Sequence, residues 1–303
     1  MHERSCLSSL DPAMIASASA AAPRLSANVL GVAVEALDME EALRRIVIEL
    51  QQGRQGYVCA VDVHGILEAY RDPVVAEAFA GASITLPDGT PTVWVGRAQG
   101  HSHMSHVTGP ALMHEVFARP EFAGYSHFFY GGKTGVAEDL AATLLAKFPS
   151  TRITGTFTPP YRDLTPDEEH RFIATINALK PDIMWVGIST PKQEVFMHRM
   201  LPRLQTRLMF GVGAAFDFHT GRIRDCAGWI KRAGFQWLHR LAQDPRRLLG
   251  RNVQNMAFLW YVAMQICGFR RYCLRPGWVE RIQPLPTASI PLTVPMQAAR
   301  SEP

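Results

Sequence analysis

The sequence predicts an α/β protein: a mostly parallel sheet with helices on both faces, plus a helical C-terminal appendage. Two patterns carry that expectation. Short apolar runs, fit for buried strands, alternate with amphipathic stretches of helical period up to residue 243. Strands covered on both faces are what a parallel sheet requires. Beyond Asp244-Pro245, basic and apolar residues follow one another from 246 to 272 without a strand.

In order along the chain, residues 1–27 are small and aperiodic and read as a flexible leader. Strands are expected over 29–34, 57–61, 83–86, 127–130, 152–156, 183–186 and 208–212. Helices are expected over 39–51, 64–80, 90–98, 110–118, 136–148, 166–179, 192–204 and 229–243. The core therefore runs over 28–243 and the basic-apolar appendage over 244–283. Pro284, Pro286, Pro291 and Pro295 mark 284–303 as a disordered tail.

At 303 residues the chain is long enough for a substantial core, and 47 % hydrophobic with 19 % charged residues is a globular balance. The net charge of +4 is unevenly spread. Between Arg222 and Arg281 the only acids are Asp225, Asp244 and Glu280. Such a basic C-terminal patch suits a polyanion: phosphate, nucleic acid or an anionic membrane. The five cysteines form no CxxC pair, which argues against structural zinc or a disulfide framework and for a reducing cytoplasm. No run reaches the roughly 18 apolar residues a membrane span needs. The Ala/Ser-rich stretch over 14–22 lacks the apolar core of a signal peptide. The protein is expected to be soluble or peripheral.

Ligands of parallel sheets sit in the crevice at the carboxyl ends of the strands, so the loops there are where chemistry belongs. Tyr130-Gly131-Gly132-Lys133-Thr134-Gly135 lets backbone N–H groups approach a diphosphate at a helix N-terminus, or serves as a tight βα turn. In Thr190-Pro191-Lys192-Gln193-Glu194, Pro191 suits the first helical position and Ser189 or Thr190 suits a cap. Lys192, Gln193 and Glu194 then project into the crevice toward phosphate and sugar, or form a solvated helix start. Asp88, between Pro87 and Gly89, is a general-base candidate at a strand end, or part of an Asp-Gly turn. Gly211-Val212-Gly213 opens a second strand exit to a flat base or ribose, or allows close helix–sheet packing. Arg240 and Arg247 share a helix face if no break occurs at Pro245, and their guanidinium forks suit a diphosphate or a lipid surface. His101, His103, His106 and His114 do not have metal-site spacing, and no metal is expected.

Taken in order, these residues resemble the WecG/TagA/CpsF family of bacterial glycosyltransferases. The resemblance runs through Asp62-Val63-His64-Gly65, Pro87-Asp88-Gly89-Thr90-Pro91, Val107-Thr108-Gly109, Gly131-Gly132 and Pro181-Asp182. It continues through Pro191-Lys192-Gln193-Glu194, Gly211-Val212-Gly213-Ala214-Ala215-Phe216-Asp217 and Trp237-Leu238-His239-Arg240 with Asp244-Pro245-Arg246-Arg247. It covers about residues 29–260. The series in this order is specific, although no single motif is.

The resemblance implies a Rossmann-like core and an inverting, metal-independent enzyme without a cofactor, consistent with the lack of a DxD motif. It implies a UDP-sugar donor and a polyprenyl-diphosphate-linked acceptor in cell-surface or exopolysaccharide synthesis. By it, Asp88 is the catalytic base, with Asp62 a second catalytic candidate. Gly131, Gly132, Gln193, Glu194, Gly211 and Gly213 form the nucleotide-sugar site, and Arg240 and Arg247 clamp the diphosphate. The expected location is the inner face of the bacterial cytoplasmic membrane, on anionic lipid and without nucleic acid; homo-oligomerisation stays open. Four positions depart from the family pattern. Asp62 stands where Asn is common, His106 where Arg is common, Ala227 where Pro is usual, and Gly250 where a third Arg often follows. A nicotinamide oxidoreductase is disfavoured by the missing GxGxxG. The remaining alternative is a non-catalytic nucleotide-sugar-binding subunit of an assembly complex.

Overall fold

The structure, a computed structural model, describes residues 24–223 and 257–274. The chain starts with an antiparallel hairpin, β1 (Ser26–Val29) and β2 (Val32–Glu35), followed by α1 (Met39–Gln51). Strand β3 (Gly56–Val61) leads through α2 (Val63–Arg71) and α3 (Pro73–Ala80) to β4 (Ile84–Pro87). Then come α4 (Thr90–Ala98), α5 (Gly109–Ala118), β5 (Ser126–Gly131), α6 (Val136–Lys147) and β6 (Arg152–Phe157). Next are α7 (Pro166–Leu179), β7 (Ile183–Gly187), α8 (Lys192–Met200), β8 (Leu208–Gly211) and the short α9 (Ala215–His219). Among the described residues the last helix, α10, covers 257–266.

The six long-range strands pair in the order β4-β3-β8-β7-β5-β6, and every pairing is parallel. The sequence-predicted α/β sheet with two covered faces is what the chain builds. One face buries Ile66, Leu67, Phe79, Phe172, Phe196 and Met197, brought by α2, α3, α7 and α8. The other buries Ile46, Leu112, Val116, Leu140 and Phe216, brought by α1, α5, α6 and α9. Each such side chain contributes roughly 1.5–3 kcal/mol when taken from water. Neighbouring β5 and β7 send their connections in opposite directions, β5 outward to β6 and β7 across to β8. The reversal opens a crevice above their carboxyl ends.

The structure revises several element boundaries. The strand expected over 29–34 is a hairpin. Leu30 and Gly31 turn with positive φ, and the Gly31 N–H donates to Asn28 Oδ1 at 2.9 Å. The helix expected over 64–80 is two helices. Pro73 cannot continue α2, and Asp72 caps α3 by accepting from the Val74 N–H at 2.8 Å. Residues 24–27, expected in the leader, are tied to the core. Arg24 donates to the Ser83 carbonyl at 2.8 Å and pairs with Glu49 at 3.1 Å, while Ala27 is fully buried. Phe258 and Val262 of α10, a helix within the expected appendage, join the same core. The expected helix over 229–243 and the 243/244 boundary lie outside the described residues.

Candidate functional site

Two aspartates stand at the exits of β3 and β4, whose last residues Val61 and Pro87 are paired neighbours. Asp62 is the N-cap of α2, and its Oδ1 accepts from the Gly65 N–H at 2.7 Å. Asp88 is held by its backbone, with its N–H donating to the Val61 carbonyl at 3.1 Å. Gly89, not Asp88, is the N-cap of α4. The Asp88 carboxylate therefore remains outside helix capping, 28 % exposed, with Oδ1 3.3 Å from His106 Nε2. That ring nitrogen is buried and has no aligned hydrogen-bond partner, so the contact is one of proximity and charge. His106 as the neighbour of Asp88 was not foreseen; only its departure from the family pattern marked it.

The crevice floor lies between β5 and β7. Gly131 has φ +127°, and a Cβ there would stand 2.5 Å from the Gly187 carbonyl oxygen. Only glycine lets the two strand ends close in this way. The Gly132 N–H donates to the same carbonyl at 3.0 Å. The loop then reaches α6 through Gly135 in the left-handed conformation.

On the other side, Thr190-Pro191 is a cis peptide, and Pro191 occupies the N-cap position of α8 without a side-chain cap. Lys192 is exposed, with its Nζ 5.6 Å from the centre of the exposed Tyr161 ring. Gln193 and Glu194, expected to project into the crevice, instead turn inward and are 2 % and 0 % exposed. Packing of α8 against the sheet directs them there. Gln193 Oε1 accepts from the Gly213 N–H at 3.0 Å. Gln193 Nε2 donates to Glu194 Oε1 at 2.9 Å, and the Thr190 hydroxyl donates to the same oxygen at 3.1 Å. Gly211 makes room, since a Cβ on it would meet Met197 and Gln193. Burial pushes the Glu194 acid up to about 7, and the nearby Asp62 charge adds to this.

The structure thus joins Gly131 and Gly132 to the β7 exit, and Gln193, Glu194, Gly211 and Gly213 to one another. Asp62 and Asp88 stand side by side at the neighbouring strands. Arg240 and Arg247 lie outside the described residues. The four histidines do not converge: His103 Nε2 is 2.7 Å from the Ala36 carbonyl oxygen, whereas His106 faces Asp88. Among the described residues no three His, Cys, Asp or Glu gather in a metal-binding arrangement.

Such a doubly covered parallel sheet, with a carboxylate and glycine-lined turns at its strand exits, defines an α/β protein with a crevice site. Comparison with known proteins makes the class specific. The model of the glycosyl transferase WecG/TagA/CpsF family matches residues 27–272, and the chain belongs to that family. It is similar to the N-acetylglucosaminyldiphosphoundecaprenol N-acetyl-beta-D-mannosaminyltransferase of Bacillus spizizenii. The two are 24 % identical over 198 residues, which is 65 % of this chain and 75 % of the relative.

Proposed function

We propose that the chain is an inverting glycosyltransferase. It moves a sugar from a UDP-sugar to a polyprenyl-diphosphate-linked saccharide in bacterial cell-surface or exopolysaccharide synthesis. The observation that carries the reading is Asp88: a partly exposed carboxylate at a strand exit, not used as a cap, in a chain of this family. Asp88 takes the proton of the acceptor hydroxyl. The freed oxygen attacks the anomeric carbon as the bond from that carbon to the diphosphate breaks, and UDP leaves from the opposite face. Backbone N–H groups of the Gly131–Gly135 turn, with Arg240 and Arg247, stabilise the departing charge. Gln193, Glu194, Gly211 and Gly213 shape the donor side. The reaction needs no metal in this scheme.

The appendage, 244–283, brings the enzyme to its lipid-linked acceptor. No helix among the described residues is long and apolar enough to cross a membrane. Leu259, Trp260, Ile266 and Phe269 nevertheless expose large apolar side chains beside the exposed Arg270 and Arg271. Apolar and cationic groups in that combination suit the inner, anionic face of the cytoplasmic membrane.

The test is UDP release by the purified protein with a short-chain prenyl-diphosphate saccharide and a panel of UDP-sugars, with and without EDTA. The relative's name makes an N-acetylglucosaminyl-diphosphoprenol the first acceptor and N-acetylmannosamine the first sugar to try, supplied as its UDP form in line with the proposed donor class. Release that requires both substrates and survives EDTA is expected. UDP binding without release from any pair would favour the non-catalytic reading.

A further inference from the structure

Glu194 has no accessible surface from which to touch a substrate, yet through Gln193 it is hydrogen-bonded to the loop after β8. Its Oε1 accepts from Gln193 and Thr190, while its Oε2 is buried with no hydrogen-bond donor among the described residues. Among the described residues, the titratable groups that act on it are Asp62 at the head of α2 and the Cys59 thiol on β3. Also on α2, His64 lies 3.9 Å from Glu68. Strands β7 and β8 present no titratable side chain, and α3 offers only the exposed Glu77. A buried carboxyl group with one oxygen lacking donors, and with another acid as neighbour, favours its neutral form.

The consequence reaches the loop after β8. Because Gln193 Nε2 is committed to Glu194, the amide must turn its Oε1 to the Gly213 N–H. We infer that Glu194 is a positioning residue that works as a neutral acid: it orients the Gln193 amide and, through it, the Gly211–Gly213 wall of the donor site. The inference rests on the glycosyltransferase reading and adds a residue that acts without substrate contact. The displacement of the Glu194 acid toward neutral pH makes its working form sensitive to the pH of the assay.

The experiment compares full-length wild type, Glu194→Gln and Glu194→Ala by calorimetric UDP binding from pH 6 to pH 8.5, alongside an infrared titration of the carboxyl band. Glu194→Gln keeps the neutral hydrogen-bonding group. Its UDP affinity should change less between pH 6 and pH 8.5 than that of wild type. Glu194→Ala should bind about tenfold more weakly at every pH, the loss expected from about one and a half hydrogen-bond equivalents. Wild type should show a protonated carboxyl band that disappears between pH 6 and 8 and is missing from Glu194→Gln. Equal losses in the Gln and Ala variants at every pH would overturn the inference, as would superimposable wild-type and Glu194→Gln profiles. If folded wild type binds no UDP at any pH, the glycosyltransferase reading fails. The infrared titration still decides the state of Glu194 in that case, and a band unaffected by the Gln substitution would overturn the neutral-acid assignment by itself.

Discussion

Asp62 and Asp88 leave adjacent strands in the same register, yet the following residues put them to different uses. Behind Asp62 a helix begins at once, and the carboxylate is drawn onto the Gly65 N–H as its cap. Behind Asp88 comes Gly89, whose φ of +105° lets it take the cap position itself. One glycine thus shifts the helix start by a residue and keeps the second carboxylate out of capping. Two chemically identical groups about one strand spacing apart become one capping carboxylate and one outside any cap. The same distinction extends to Glu194, a third carboxyl group near Asp62 that is wholly inside the protein.

The largest effect that can break this comparison is on turnover. Asp88→Asn should lower kcat by about 10²–10⁴-fold, the usual worth of a general base. It should leave the melting temperature nearly unchanged, because Asp88 supports no cap. Near-normal turnover of prenyl-linked acceptor would remove Asp88 from the base role.

Next is the pH dependence of stability that the buried Glu194 acid confers. Its acid lies at about 7 in the fold against an ordinary 4.5. Between those values the unfolded chain has given up the proton and the native protein still holds it. Stability therefore falls as pH rises from about 4.5 to about 7, then levels off. At about 1.4 kcal/mol per pH unit the loss is ~3 kcal/mol. Burial drives His127 the other way, to about 4, and it contributes a slope of opposite sign at acid pH. The quantity to measure is accordingly the difference between wild type and Glu194→Gln in urea unfolding at pH 5 and pH 8. Parallel curves would mean that Glu194 is ionised throughout.

A smaller effect is expected at His106. Its ring approaches Asp88 without an aligned hydrogen bond, so His106→Gln should lower kcat by about tenfold or less and leave donor KM alone. A loss as large as that of Asp88→Asn would make the two side chains a single functional unit.

These distinctions were unequally legible in the sequence. The alternation of apolar runs carried the sheet, since strands covered on both faces have no polar side to show. Asp72-Pro73 contained the signal for ending α2, but an apolar pattern continuing past it masked the break. Lys192-Gln193-Glu194 was harder. A polar triplet at a helix start has the same composition whether it meets water or the sheet, and only the packing of α8 decides. His106 and Asp88 are 18 positions apart in sequence and joined only by the fold, so no local pattern could pair them.

The finest test concerns Asp62 itself, where structural and chemical duties can be separated by choice of substitution. Asn supplies the same side-chain oxygen to the Gly65 N–H, so Asp62→Asn should keep the α2 cap and change stability by only a few tenths of a kcal/mol. Removing a negative charge beside Glu194 should also draw the Glu194 acid back toward its ordinary value. Ala supplies no acceptor, and Asp62→Ala should cost about 1 kcal/mol through the lost cap. If Asp62 only holds α2, the Asn variant turns over at nearly the wild-type rate, and the Ala variant loses stability before activity. If Asp62 shares the base duty, the Asn variant loses turnover at unchanged melting temperature. Measuring both variants for kcat and thermal unfolding distinguishes the two, because the capping role predicts a difference between Asn and Ala and the catalytic role predicts a common loss.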